Sequence, residues 1–219
     1  GFFMKEKINI KRKTKSTLIM SILLVAKFFV FQAMESQSAT ETDSVTLSTT
    51  VAEIISMNCG SDINLGTLTP GTPVPTTDQH TTCTVTTNAN GGYNLQVKRD
   101  DADTTMDKTN DATVNITDKT AWDPTGSGNA AVYSDTGLGF SVYASTATKN
   151  TTWWGTGSTY DDANNKYAGF PTAQTNIMQH TSYSSESTTT SIAYRLDVPS
   201  TQRSGAYDGS ITYQAVSQP

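Results

Sequence analysis

The chain has 219 residues, with 20 Asp/Glu against 15 Lys/Arg, two cysteines and two histidines. The bases crowd the front: residues 1–39 hold seven of the 15 and only two acids, leaving residues 40–219 with eight bases against 18 acids, formally −10. A surface of that sign repels phosphate and argues against nucleic-acid partners, and two distant cysteines without a CxxC or HxxxH neighbour argue against structural zinc.

The front reads as an export signal, with Met4 as the expected start. Lys5, Lys7, Lys11, Arg12, Lys13 and Lys15 form a basic region, and Leu18–Phe31 is apolar except for Ser21 and Lys27. That run is shorter than the ~20 residues that span a bilayer. Small residues follow it, so cleavage is expected near Ala33 or near Ser38–Ala39, with a permanent N-terminal anchor as the alternative. Residues 1–39 are thus assigned to the signal and 40–219 to one domain. In an exported chain Cys59 and Cys83 are expected to pair, contributing ~3 kcal/mol through loop closure. Free thiols or an intermolecular bond are the alternatives.

Thr, Ser, Asn, Gly and Asp dominate after the signal and favour strands and turns over helices. Val45, Leu47, Thr49 and Val51 alternate at period two, and Glu53-Ile54-Ile55 breaks the phase, as a β-bulge or a change of sheet would. Ile63–Gly66 is a short apolar piece. Thr67–Gln79, with Pro70, Gly71, Pro73 and Pro75, is a loop. Thr81–Lys98 reads as a hairpin: a β-branched strand through Cys83, an Asn88–Gly92 turn, then Tyr93, Leu95 and Val97 on one face. Arg99–Asn110 is an Asp-rich loop and Thr113–Thr117 a short strand. A Gly/Asn loop, Thr125–Asn129, precedes the alternating strand Leu138–Ala144. Thr146–His180 is a long irregular stretch of the kind that carries function or small local structure. Thr189–Val198 and Tyr207–Val216 close the chain as its two clearest strands. These elements predict an all-β, antiparallel β-sandwich with long irregular loops, a closed barrel being the alternative. The expected core is Leu65, Tyr93, Leu95, Val97, Phe140, Val142, Ile192, Tyr194, Leu196, Tyr207, Ile211 and Tyr213.

Little in the chain reads as catalytic. His80 and His180 sit in polar surroundings, and no Gly-x-Ser-x-Gly frames a serine, so no catalytic residue and no enzyme activity is expected. Asp100, Asp101 and Asp103, with Asp107 and Asp111, are weak calcium candidates, as are Asp161, Asp162, Asn164 and Asn165. Neither run follows the D-x-[DN]-x-[DN]-G spacing, and no cofactor is expected beyond that calcium option. Trp153, Trp154 and Tyr160, with Tyr167 and Phe170, either stack on sugar rings or a partner, or plug the end of the sandwich.

Two family resemblances cover roughly Cys59–Val216. Gly92-Tyr93-Asn94-Leu95 and Tyr207–Ala215, the latter with Thr212 and Tyr213, resemble the two marker strands of WxL cell-wall surface domains. Tyr stands here where that family has Trp, and Ile63–Thr67 resembles its Leu-x-Phe-Gly segment. Cys59, Leu65-Gly66, Thr82-Cys83-Thr84, Tyr93 and Gly205-Ala206-Tyr207 followed by Thr212 are similar, in that order, to the spore coat protein U type of pilin-like domain. Both resemblances imply an Ig-like or pilin-like sandwich, secreted to the bacterial cell surface, structural or adhesive, and partnered by a cell-wall polymer or other surface proteins. The second also implies self-association by donation of an N-terminal strand, for which Val45–Val51 has the needed alternation. A carbohydrate-binding module using the loop aromatics is the third reading.

Overall fold

The computed structural model describes residues 40–72, 80–126, 130–133 and 136–219. The expected signal, residues 73–79 of the Pro-rich loop and residues 127–129 of the Gly/Asn loop lie outside the described residues. The chain divides into two units, Gly1–Thr50 and Val51–Pro219. In the first, Thr40–Thr50 forms neither strand nor helix.

The regular structure of the second unit is almost all strand. In chain order its elements are β1 (Ile55–Cys59), β2 (His80–Thr87), β3 (Tyr93–Arg99), β4 (Met106–Lys108), β5 (Asp111–Ile116), β6 (Ala131–Val132) and β7 (Gly137–Ser145). A single helical turn, α1 (Thr151–Trp154), follows, then β8 (Lys166–Tyr167), β9 (Thr175–His180), β10 (Thr188–Asp197), β11 (Tyr207–Asp208) and β12 (Ile211–Ser217). Every ladder is antiparallel. One main sheet runs β1-β2-β10-β7 and the other β12-β3-β9; two small sheets, β11-β4-β5 and β6-β8, flank them.

Period-two burial makes the sandwich. Cys83 and Val85 of β2, Leu138, Phe140 and Val142 of β7, and Ile192, Tyr194 and Leu196 of β10 point inward from the first sheet, against Tyr93, Leu95 and Val97 of β3 and Ile177 of β9. Polar contacts join the layers too. Tyr93 Oη lies 2.6 Å from Thr188 Oγ1, and Tyr194 Oη 2.8 Å from Tyr213 Oη. The outward Gly139 and Ser141 of β7 are also buried, because the long stretch after β7 folds back over that face.

The Thr81–Lys98 segment departs from its sequence reading. Both strands and the turn are present, but β2 and β3 do not pair; they lie in opposite sheets. The Asn88–Gly92 turn is a corner between layers rather than a hairpin. Gly92 sits at φ 78°, and a Cβ there would collide with the His180 carbonyl. This close approach of β3 to β9 requires glycine.

Candidate functional site: an open edge of the sandwich

The two edges of the sandwich are finished differently. On one side β7 and β9 are the outer strands, and α1 closes the gap between them. Asn150 caps this turn, its Oδ1 accepting from Trp153 N at 3.1 Å. Trp154 is thereby driven fully into the core, with its ring 5.1 Å from Phe140 and 4.5 Å from Trp122. The Nε1 groups of Trp122 and Trp154 donate to the carbonyls of Asn176 and Ile177 on β9, at 2.6 and 2.8 Å. Indole donors thus occupy acceptors that an edge strand otherwise leaves free.

On the other side β1 and β12 are the outer strands, each with one hydrogen-bonded neighbour among the described residues. A trough runs between them. One part, about 580 Å³, has Met57 and Cys59 on the β1 wall, Ile211 and Tyr213 on the β12 wall, and Leu138, Phe170 and Tyr194 beneath. A second part, about 770 Å³, continues it past Ile63, Leu65 and Met106, which border both, to Leu68, Leu196 and Tyr207. Met57, Cys59, Ile63, Leu65, Leu68, Met106, Tyr207, Ile211 and Tyr213 are only partly buried although they pack against the core. The edges approach to within 8 Å between Cα atoms over part of their length.

Four of the twelve expected core residues, Leu65, Tyr207, Ile211 and Tyr213, belong to this trough and are only partly buried. Alternation shows which face points inward, not whether the layer above it is complete. Met57, Ile63 and Met106 were not among the expected site residues; the β1 spacing of Met57 and Cys59 was the available signal. At the bottom of the trough, burial raises the pKa of both the Tyr194 and the Tyr213 hydroxyl above the ordinary phenol value. The paired hydroxyls stay neutral donors and acceptors at physiological pH.

The other expected site residues are dispersed. The structure forms the Cys59–Cys83 disulfide between directly opposed residues of β1 and β2. Tyr93 and Leu95 are buried in β3, while Thr212 faces solvent on β12. Tyr207 Oη donates to the Arg203 carbonyl at 2.7 Å. Trp153, Trp154 and Tyr160 do not form one surface. Trp154 is core, Trp153 is half-buried with its ring edge-on to Trp122, and Tyr160 stacks on His80 at 5.3 Å on the far side of β2 and β7. Trp153 lines a separate hollow of about 570 Å³ with Lys149, Asn150, Gln179 and His180. Asp101, Asp103 and Asp107 bring carboxylate oxygens within 4.8 Å of one another. Asp100 stands outside that group and accepts from Ser210 N at 3.2 Å. Burial, then the charges of Asp101 and Asp103, raise the Asp107 carboxyl. Asp162 organises its own turn instead, accepting from Ser158 N and Asn164 N. Among the described residues no helix is long and apolar enough to cross a membrane.

No family model, curated protein or solved structure matches the chain.

Proposed function

We propose that this chain is an exported, non-catalytic bacterial surface subunit that polymerises, its domain accepting a strand from a neighbouring copy and donating Val45–Val51 in turn. The observation that carries the reading is the partly buried apolar trough between β1 and β12, two strands whose outer edges pair with no further strand among the described residues. Its counterpart is a segment with strand alternation that forms no strand: Val45, Leu47 and Val51 are exposed at 82 %, 92 % and 80 %. A protein built to remain alone covers such an edge, as the β7/β9 side does.

Magnitudes set what the donated strand must do. Ordering seven residues costs about 7–14 kcal/mol of backbone entropy. Burying Val45, Leu47 and Val51 returns about 1.5–3 kcal/mol each. The remainder comes from ladder hydrogen bonds to β1 or β12 and from burial of trough residues such as Leu65, Ile211 and Tyr213. A strand needs about 4.8 Å on each side, so insertion also parts the edges where they lie within 8 Å. Such a module fits a structural or adhesive role at the cell surface, with further partners at the ends of the polymer.

Light scattering on size-exclusion fractions of the exported protein tests the reading. Oligomers that resist dilution and vanish when residues 40–51 are deleted are expected. A strict monomer with or without those residues would overturn it.

A further inference from the structure

Strand acceptance raises one question: what would keep the segment from folding back onto β1 of its own chain. Val51 and Ile55 are separated by three residues, a common hairpin loop length. Folding back over Ala52–Ile54 would set Val51 opposite Ile55, Thr49 opposite Met57 and Leu47 opposite Cys59. Met57 and Cys59 face the trough, so that register would turn Val45, Leu47, Thr49 and Val51 into the chain's own groove. The alternation therefore suits self-insertion as well as donation. An intramolecular competitor acts at an effective concentration in the millimolar range and would prevail over a second copy unless something opposed it.

The side chain of Asn88 is placed to oppose it. Its Oδ1 accepts from Ile54 N at 2.7 Å and its Nδ2 donates to the Ala52 carbonyl at 2.9 Å. The Asn88 backbone N donates to the Ile54 carbonyl at 3.3 Å, and Thr87 Oγ1 donates to the same oxygen at 2.8 Å. One planar amide thus supplies the donor and acceptor that a neighbouring strand would supply. Ala52 and Ile54 are thus tied to Asn88, just past the end of β2, at the residues that the fold-back needs to turn.

We propose that Asn88 is a positioning residue that denies the chain its own trough and so reserves the trough for the segment of a second copy. This inference rests on the strand-accepting reading. Alanine removes both side-chain bonds; aspartate keeps the acceptor and removes the donor. In the fold-back register Ser48 and Asn58 are opposed on the solvent face, so a Ser48→Cys/Asn58→Cys pair reports self-insertion without touching the trough.

The test places this cysteine pair in exported protein with Asn88, Asn88→Ala or Asn88→Asp, and follows intrachain cross-linking by mass spectrometry. Oligomers are measured by light scattering, and anisotropy reports binding of a labelled peptide of residues 43–51. With Asn88→Ala the intrachain cross-link should rise at least tenfold, the oligomer fraction should fall and peptide binding should weaken. Asn88→Asp should lie between, and it carries the test if the alanine variant does not melt cooperatively. Equal intrachain cross-linking with and without Asn88, in protein that binds the peptide, overturns the role of Asn88 alone. Absence of both peptide binding and oligomers in every variant overturns the strand-accepting reading and this inference with it.

Discussion

Asp118 shows how a single buried charge is held beside the open edge. Its side chain is 5 % exposed and that of Arg99 11 %, and the two meet at 2.9 Å. Asp118 Oδ2 also accepts from Thr105 N and Thr105 Oγ1, at 3.1 and 2.6 Å. Burial nevertheless wins and raises the carboxyl above its ordinary value, against the pull of Thr105 and Arg99. The folded state therefore binds this proton more tightly than the unfolded chain. At this site, stability is greatest below the ordinary carboxylate value and falls as pH rises through the raised one. Asp118→Asn should remove that slope, so the stability difference between wild type and variant should shrink or reverse as pH rises. Asp118→Ala strands Arg99 in the interior and should cost about 3 kcal/mol at neutral pH. Urea unfolding at pH 4 and pH 7 measures both; an alanine variant within 1 kcal/mol of wild type at pH 7 would mean that the pair holds nothing together.

At the scale of the element, β1 is the strand to watch. Its only ladder among the described residues is to β2, and the Cys59–Cys83 bond ties the two at directly opposed positions. Reduction should free the weakest edge first. Amide exchange in Ile55–Cys59 should rise before that in β2, β3 or β10, with a loss of about 3 kcal/mol in global stability; unchanged β1 protection after reduction would rule out this order. The sequence announces these elements unevenly. β3, β7 and β10 were legible because their alternation is clean and both layers cover them. The turn chemistry of Asn88–Gly92 was legible too, but Asn and Gly serve a corner between sheets as well as a hairpin, and only the pairing of β2 with β10 and of β3 with β12 separates the two. The break at Glu53–Ile55 was also visible. The structure starts β1 at Ile55, and the bond from Ile54 N to the Asn88 amide, 34 positions away, has no local signature. The Trp153-Trp154 pair divides for a similar reason: a capped helical turn sends adjacent residues in different directions, one to the core and one to its margin.

At the scale of the whole molecule, the contrast between the two edges makes the strongest claim on experiment. Trp122, Trp154 and α1 close one edge, while Leu65, Tyr207, Ile211 and Tyr213, all expected in the core, stay only partly buried at the other. If that second edge lacks a strand, supplying one in solution should stabilise the whole domain, because the ligand binds the folded state and not the unfolded chain. A peptide of residues 43–51 at a hundred times its Kd should add about 2.7 kcal/mol. For a domain of this size that corresponds to a rise of roughly 5–10 °C in Tm. The acceptor should be protein lacking residues 40–51, so that no chain competes through its own segment. A peptide carrying Leu47→Asp presents a charge to the apolar trough and should give no shift. Equal shifts from the two peptides would point to adhesion along an exposed edge rather than filling of the trough. No shift from either, with the acceptor folded, would leave the trough as a surface that the domain tolerates rather than one it uses.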